Sequence, residues 1–355
     1  VKLSELGEDL FIERLRERVP EPGPSVKLGI GDDAAAVSLA AGDNALLSTD
    51  VLVEGIHFTA QTLPPSFVGR KAVAVNASDI AAMGGRPVAI LVSLSVSATA
   101  DVDTLLELFD GLIGRAGELG IDLVGGNLSA SPGPMVLTVT ILGSSPDEAL
   151  LTRNGARPGQ LIFVSGKLGA ASEGLDLLQE GMAMSASGAV LVPNQLREGP
   201  VPLAESCLRA HMDPEPRIAL GQFLSRADGV GACIDLSDGL VKDLGRLCLA
   251  SGVGARIEER SLPIHPGVLA WERLRRRPPL ELALSGGEDY ELLFTVGDEE
   301  AVSEYRDREA VPITCIGKVT EAREGIKLIL REGPERALDR GGWDHFQAGN
   351  DSSAK

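Results

Sequence analysis

The sequence predicts an α+β protein of two domains. Strand-like and helical runs follow one another without a regular βαβ repeat, which speaks against a doubly wound sheet. Residues 151–160 (Leu-Thr-Arg-Asn-Gly-Ala-Arg-Pro-Gly-Gln) interrupt the apolar patterning and read as a boundary. The chain has 355 residues, 44% of them hydrophobic, enough for two cores. Aromatic residues make up only 3%, so Leu, Val, Ile and Ala must fill those cores. The expected division is 1–150, 151–346 and a polar, disordered tail at 347–355.

Residues 4–18 carry Leu6, Leu10, Ile12 and Leu15 at helical spacing, and the prolines from Pro20 to Pro24 end that helix. Strand-like runs follow at 45–48, 88–95 and 135–142. Between them lie an Ala/Val-rich helical stretch at 70–83 and another at 102–119, with Leu105, Leu108, Leu112 and Ile113 on one side. Beyond the boundary come a strand at 161–165 and a helix at about 170–180. Residues 181–200 are small, polar and irregular, and read as a flexible loop. A helix at 216–227, a strand at 230–236, a helix at 239–251 and strands at 292–296 and 313–319 complete the order.

The formal net charge is -18, which argues against nucleic acid and anionic membranes as partners. No apolar run approaches the ~20 residues of a membrane span. The N-terminal residues show no signal-peptide pattern. The cysteines (Cys207, Cys233, Cys248 and Cys315) form no C-x-x-C pair and read as buried thiols of a reducing cytoplasm.

Six segments set small residues beside acidic or amide side chains: 29–34, 48–50, 76–79, 125–127, 235–239 and 285–290. Alone, such carboxylates repel phosphate by roughly 4 kcal/mol at ~4 Å and an effective dielectric of ~20. A divalent cation held by them reverses that sign. Gly29-Ile-Gly-Asp-Asp-Ala is not a dinucleotide fingerprint, because two aspartates stand where a pyrophosphate needs bare N–H groups. Ser48-Thr49-Asp50 ends an apolar run and can present oxygens into a cleft; a cap or turn is the plainer reading. Asn76 and Asp79 share one face of an apolar helix, so Asp79 needs a partner, either a metal or the nearby Arg70 or Lys71. Asp235, Ser237 and Asp238 bracket a strand-to-helix turn, where one Asp would be a cap but two suggest a metal or phosphate corner. There is no P-loop and no protein-kinase motif set. Of the four histidines only His57 lies near a candidate segment. Trp343, among glycines, suits either covering a core edge or stacking on a flat ligand.

Taken together and in this order, the segments resemble the thiamine-monophosphate kinase family. The likeness runs from about Gly7 to Phe346 and rests on Leu-Gly-Ile-Gly-Asp-Asp-Ala, Ser-Thr-Asp-x-Leu-Val-x-Gly-x-His-Phe, Lys-Ala-Val-Ala-Val-Asn-x-Ser-Asp-Ile-Ala-Ala-Met-Gly, Leu-Thr-Arg, Ile-Asp-Leu-Ser-Asp-Gly-Leu, Leu-Ser-Gly-Gly-Glu-Asp-Tyr-Glu-Leu and Trp-Asp-His-Phe. The resemblance implies the two-domain α+β fold of aminoimidazole ribonucleotide synthetase, with the N-terminal domain forming a homodimer and binding ATP in the resulting groove. It implies direct transfer of the γ-phosphoryl group to thiamine monophosphate, assisted by several Mg²⁺ ions. By position, Asp33, Ser48, Thr49, Asp50, Asp79, Asn127, Asp235 and Asp238 would ligate metal. Gly126, Asn127, Arg153 and Ser237 would meet ATP, and His57, Glu288 and Trp343 the thiamine phosphate. The family has Asp where this chain has Asn127; a neutral amide oxygen still suits Mg²⁺ but weakens affinity for one ion.

No general base is expected, because a phosphate acceptor with a second pKa near ~6 is already mostly dianionic at pH 7. Two alternatives remain at this point. One is another ATP-using enzyme of the same fold, of the aminoimidazole ribonucleotide or selenophosphate synthetase type. The other is a non-catalytic thiamine-nucleotide binder.

Overall fold

A computed structural model describes residues 1–6, 8–28, 36–185, 188–197, 199–272, 277–308 and 311–338. The 29–34 segment with Asp33, Trp343 and the tail lie outside the described residues.

The N-terminal half is built on a four-stranded sheet in the order Asp43–Val53, Val136–Pro146, Arg86–Val96, Asp122–Ala130. The first two pairings are antiparallel and the last is parallel. A parallel pair requires a crossover, supplied here by the helix Val102–Glu118. Asp101 caps that helix by accepting from the Thr104 amide. Alternation along the strands sends Leu46, Leu52, Ile90, Val92, Leu94, Leu137, Val139 and Ile141 inward. Against that face packs the helix Pro65–Ala82 together with Val102–Glu118. The other face carries Leu47, Val51 and Leu91 in the open, Leu47 being 73% exposed.

The C-terminal half is built on a seven-stranded sheet ordered Val230–Asp235, Leu292–Val296, Leu161–Ser165, Ile313–Glu321, Val253–Glu258, Ile326–Ile329, Glu335–Ala337. All neighbours are antiparallel except Val253–Glu258 with Ile326–Ile329. Helices Ala170–Gln179, Val201–Met212 and Leu240–Ser251 lie in this half.

The helix Pro65–Ala82 belongs to both halves. Nearly every residue in it is buried, because it packs on the N-terminal sheet and also on the helix Ile218–Leu224 and the strand Val230–Asp235. The first core cluster continues through Leu177, Leu208, Met212 and Trp271, so it crosses from one half into the other. Ion pairs join them too: Arg70 Nε to Asp213 at 2.7 Å and Arg115 to Glu215 at 2.6 Å.

Two expectations need correction. The described residues of 181–200 are not irregular throughout. Ala183–Met184 pairs with Val190–Leu191 as a short hairpin, and Asn194–Leu196 forms a 3₁₀ turn. Met182, Met184 and Leu196 are buried in the first core, too widely spaced to give a periodic signal. The helix expected at 216–227 is only Ile218–Leu224. Among the described residues no helix is long and apolar enough to cross a membrane. Cys207, Cys233 and Cys248 are buried and free, while Cys315 is partly exposed.

Candidate active site

The site forms where the first strand, the shared helix and the C-terminal sheet meet. Ser48 and Asp50, two apart on the strand, face the helix. Ser48 Oγ donates to Asp79 Oδ2 at 2.5 Å, and the Asp50 and Asp79 carboxyl groups lie close enough to influence each other's ionisation. Asn76 fastens the two elements: its Oδ1 accepts from the Asp50 amide at 3.2 Å, and its Nδ2 donates to Ala72 O at 2.9 Å. Asp235 arrives from the end of Val230–Asp235, and Ser78 Oγ donates to its Oδ2 at 2.7 Å.

Burial and mutual repulsion keep these acids reluctant to ionise. Burial first, then Asp79, pushes Asp50 up to about 6. Burial first, then Asp79, pushes Asp235 up to about 7. Asp79 is raised by burial against the opposing pull of Ser48 and Arg153. The cation near Asp79 is therefore Arg153, an expected ATP contact. Arg70 and Lys71, the alternative partners for Asp79 in the sequence, are engaged elsewhere: Arg70 with Asp213 and Glu118, Lys71 with Glu288.

The segments 235–239 and 285–291 are clamped together by backbone hydrogen bonds. Glu288 N donates to Ser237 O at 2.7 Å, Tyr290 N to Leu236 O at 2.9 Å, and Leu236 N to Glu291 O at 2.8 Å. This brings Ser237 beside Glu288. The clamp needs an unusual backbone, with Gly287 at φ 76°, Glu288 at 59° and Tyr290 at 48°. A non-glycine residue in the left-handed region stores strain and is concentrated at functional sites. Gly287 is needed on a second count: a Cβ there would lie 3.0 Å from Ser237 O.

Glu288 meets two buried side chains. Lys71 Nζ lies 2.8 Å from its Oε1 and His211 Nδ1 lies 3.0 Å from its Oε2. Burial alone would raise the Glu288 carboxyl, but Lys71 and His211 together hold it well below the usual range. Burial, then Lys71, lowers His211, which favours the neutral imidazole against the pull of Glu288. Asp289 instead accepts from Gly169 N at 2.9 Å, tying the loop to the start of the helix Ala170–Gln179. Tyr290 feels Glu288, Asp50, Asp235 and Asp79 and thus links the two clusters. His211 gave no local signal in the sequence. Ser78 and Tyr290 stand in the 76–79 and Ser-Gly-Gly-Glu-Asp-Tyr segments without being singled out there, and Lys71 was weighed only as a partner for Asp79.

Other expected residues are placed apart from this group. Thr49 points to the open face, its Oγ1 donating to Val139 O at 3.1 Å. Sheet register puts Val51, Thr138, Ser93 and Asn127 in one row, so Asn127 also faces the open side. Asp50 shares the adjacent row with Gly126, three strands away, or roughly 14 Å at the usual inter-strand spacing. Gly126 has a packing reason of its own: a Cβ there would lie 2.0 Å from Val92 O. Asp238 neither caps the helix Leu240–Ser251 nor joins Asp235; it pairs with Lys242 at 3.0 Å and Arg246 at 2.5 Å. His57 Nδ1 accepts from Val53 N at 3.0 Å within its own turn.

Hard oxygen donors, repelling carboxylates and a scarcity of compensating cations suit a divalent ion at Ser48, Asp50, Asp79 and Asp235. The ligand set is not closed in advance, however. Among the described residues no three Asp, Glu, His or Cys side chains converge to metal-holding geometry.

Residues 31–145 match the family described as AIR synthase related protein, N-terminal domain, and residues 157–329 match its C-terminal domain. The thiamine-monophosphate kinase of Escherichia coli K12 is 38% identical over 344 residues, covering 96% of this chain and 98% of the relative. The chain belongs to the thiamine-monophosphate kinase family. The Bacillus subtilis family member is 33% identical, covering 91% of this chain and 94% of its own. Solved members of the family share the fold. The crystal structure from Stenotrophomonas maltophilia K279a has a TM-score of 0.76 at 34% identity, covering 90% of this chain and 95% of that one. AaThiL complexed with AMPPCP and TMP has a TM-score of 0.73 at 32% identity, covering 98% and 99%. E. coli HypE, a hydrogenase maturation protein, superimposes with a TM-score of 0.73, covering 96% and 99%, but at 22% identity that likeness is of fold alone.

Proposed function

We propose that this chain is an ATP-dependent kinase that converts thiamine monophosphate to thiamine diphosphate by direct phosphoryl transfer. The observation that carries the reading is the grouping of Ser48, Asp50, Asp79 and Asp235 beside Arg153 in a full-length member of this family. AaThiL has been solved with AMPPCP, an ATP analogue, and TMP together.

Asp50, Asp79 and Asp235 would hold Mg²⁺, with Ser48 and Ser78 orienting two of the carboxylates. Mg²⁺ held there would supply charge neutralisation for the phosphate oxygens of donor and acceptor. Arg153 adds a fixed, planar cation for phosphate. Glu288, held as a carboxylate, faces the acceptor. The acceptor phosphate is its own nucleophile, so the site needs no general base, and catalysis is positioning and electrostatics. The exposed Leu47, Val51 and Leu91 on the open sheet face support the homodimer reading, with that face as the seam between two copies. A cytoplasmic location fits the free thiols.

The test is ADP release with ATP, Mg²⁺ and thiamine monophosphate, with free thiamine and other phosphate monoesters as controls. Turnover that needs both the monophosphate and Mg²⁺ is expected. ATP binding without turnover would move the chain to the binder class.

A further inference from the structure

We propose that Lys71 and His211 are positioning residues that fix the Glu288 carboxylate toward the acceptor substrate. The inference deepens the kinase reading and rests on it. Lys71 and Ser78 lie two turns apart on one face of the shared helix, and both reach into the C-terminal half. Ser78 orients Asp235 in the phosphate-handling cluster, and Lys71 meets Glu288. His211 approaches Glu288 from the other side, from the helix Val201–Met212.

The exposures define the direction. The side chains of Lys71 and His211 are 1% and 2% exposed, whereas that of Glu288 is 30% exposed. Each inner partner lies against one carboxylate oxygen, at ion-pair distance. A carboxylate has about four lone-pair directions, so those on the open side remain for a ligand. The backbone of Glu288 is held at φ 59° by the clamp to Ser237, which fixes the carboxylate from its other end. An ionised, aimed carboxylate recognises a cationic or N–H-bearing heterocycle, the chemistry of the part of thiamine monophosphate remote from its phosphate. Lys71 comes from the N-terminal half and His211 from the C-terminal half, so the aim of Glu288 depends on both.

The experiment measures KM and kcat for thiamine monophosphate and for ATP in the wild type, K71M, K71R, H211Q, E288Q and K71M/E288Q. K71M is expected to raise the acceptor KM by roughly tenfold or more, the size of one charge-assisted contact, with the ATP KM unchanged. K71R is expected to recover most of that loss. In the E288Q background K71M is expected to add little, because its effect passes through Glu288. A folded K71M with an unchanged acceptor KM overturns the proposal, as does full additivity with E288Q. Should K71M fail to fold, an unchanged acceptor KM in folded H211Q overturns it equally. A wild-type chain that turns over no thiamine monophosphate overturns the kinase reading itself, and shows this before any substitution is compared.

Discussion

Asp50 and Asn127 stand at opposite edges and on opposite faces of one four-stranded sheet. A single small ion cannot touch both within one chain. Under the homodimer reading proposed above, a nucleotide would meet both sets of residues across the open face of a second copy.

Leu91 lies exposed in the middle of that open face. L91E is expected to leave the circular dichroism spectrum unchanged, shift sedimentation to the monomer, and abolish turnover. A monomeric L91E with wild-type turnover would remove the pairing of copies from the mechanism.

At Asn127, restoring a carboxylate is informative. N127D is expected to lower the Mg²⁺ concentration needed for half-maximal rate, because a neutral amide oxygen becomes a charged ligand. A Mg²⁺ titration that superimposes on the wild type shows that residue 127 holds no ion.

D50N keeps the shape of the site and removes a charge. Turnover is expected to fall by about 10²-fold or more, the range seen when a preorganised electrostatic contact is lost. Folding, read by the thermal transition, is expected to persist. Wild-type rates from folded D50N would contradict its role.

Asp235 links the site to stability. Burial first, then Asp79, pushes its folded pKa up to about 7, well above the ordinary aspartate range. A raised pKa means that the metal-free fold is favoured below the unfolded value and loses that contribution as pH rises through about 7. Metal-free D235N is accordingly expected to melt higher than the wild type at pH 8, with the gap closing toward pH 4. Mg²⁺ is expected to raise the wild-type melting temperature more at pH 8 than at pH 5, and to raise that of D235N less. Equal melting curves for the two proteins at pH 8 would show that the carboxylate is not strained.

G126A tests packing apart from nucleotide binding. The added Cβ meets Val92 O at 2.0 Å, so the parallel strand pair must separate. A destabilisation of about 1–3 kcal/mol in urea unfolding is expected. A variant of full stability that has lost ATP binding would reverse that assignment.

The C-terminal sheet was partly legible because its central strands are continuous apolar runs, and 161–165 and 292–296 coincide with Leu161–Ser165 and Leu292–Val296. Asp122–Ala130 was not, because Gly125, Gly126 and Asn127 break the alternation that marks a strand. The helix Val201–Met212 was passed over because Pro200 and Pro202 open it and its buried side sets His211 among Ala204, Cys207, Leu208 and Met212. Within the site, Ser48, Asp50, Asp79 and Asp235 were legible as hydroxyl and acidic groups in small-residue segments. The pairing of Asp238 with Lys242 and Arg246 was not legible, since they lie one and two turns along the following helix, where they read as a solvated flank. Lys71 was read only as a neighbour for Asp79. Its actual partner lies more than two hundred positions along the chain, beyond any local pattern.

The helix Pro65–Ala82 is the hydrophobic filling of two layers at once. A chain built around such a shared beam has no natural cut. Excising the first 150 residues as a separate piece would leave the flank that meets Ile218–Leu224 and Val230–Asp235 open to water, with Lys71 stripped of Glu288. The remaining piece would lose the wall against which Asp235 and Ser78 meet. Modularity in sequence, with two family regions following one another, does not extend to independent folding, and attempts to swap either half between relatives must carry this helix's contacts with them.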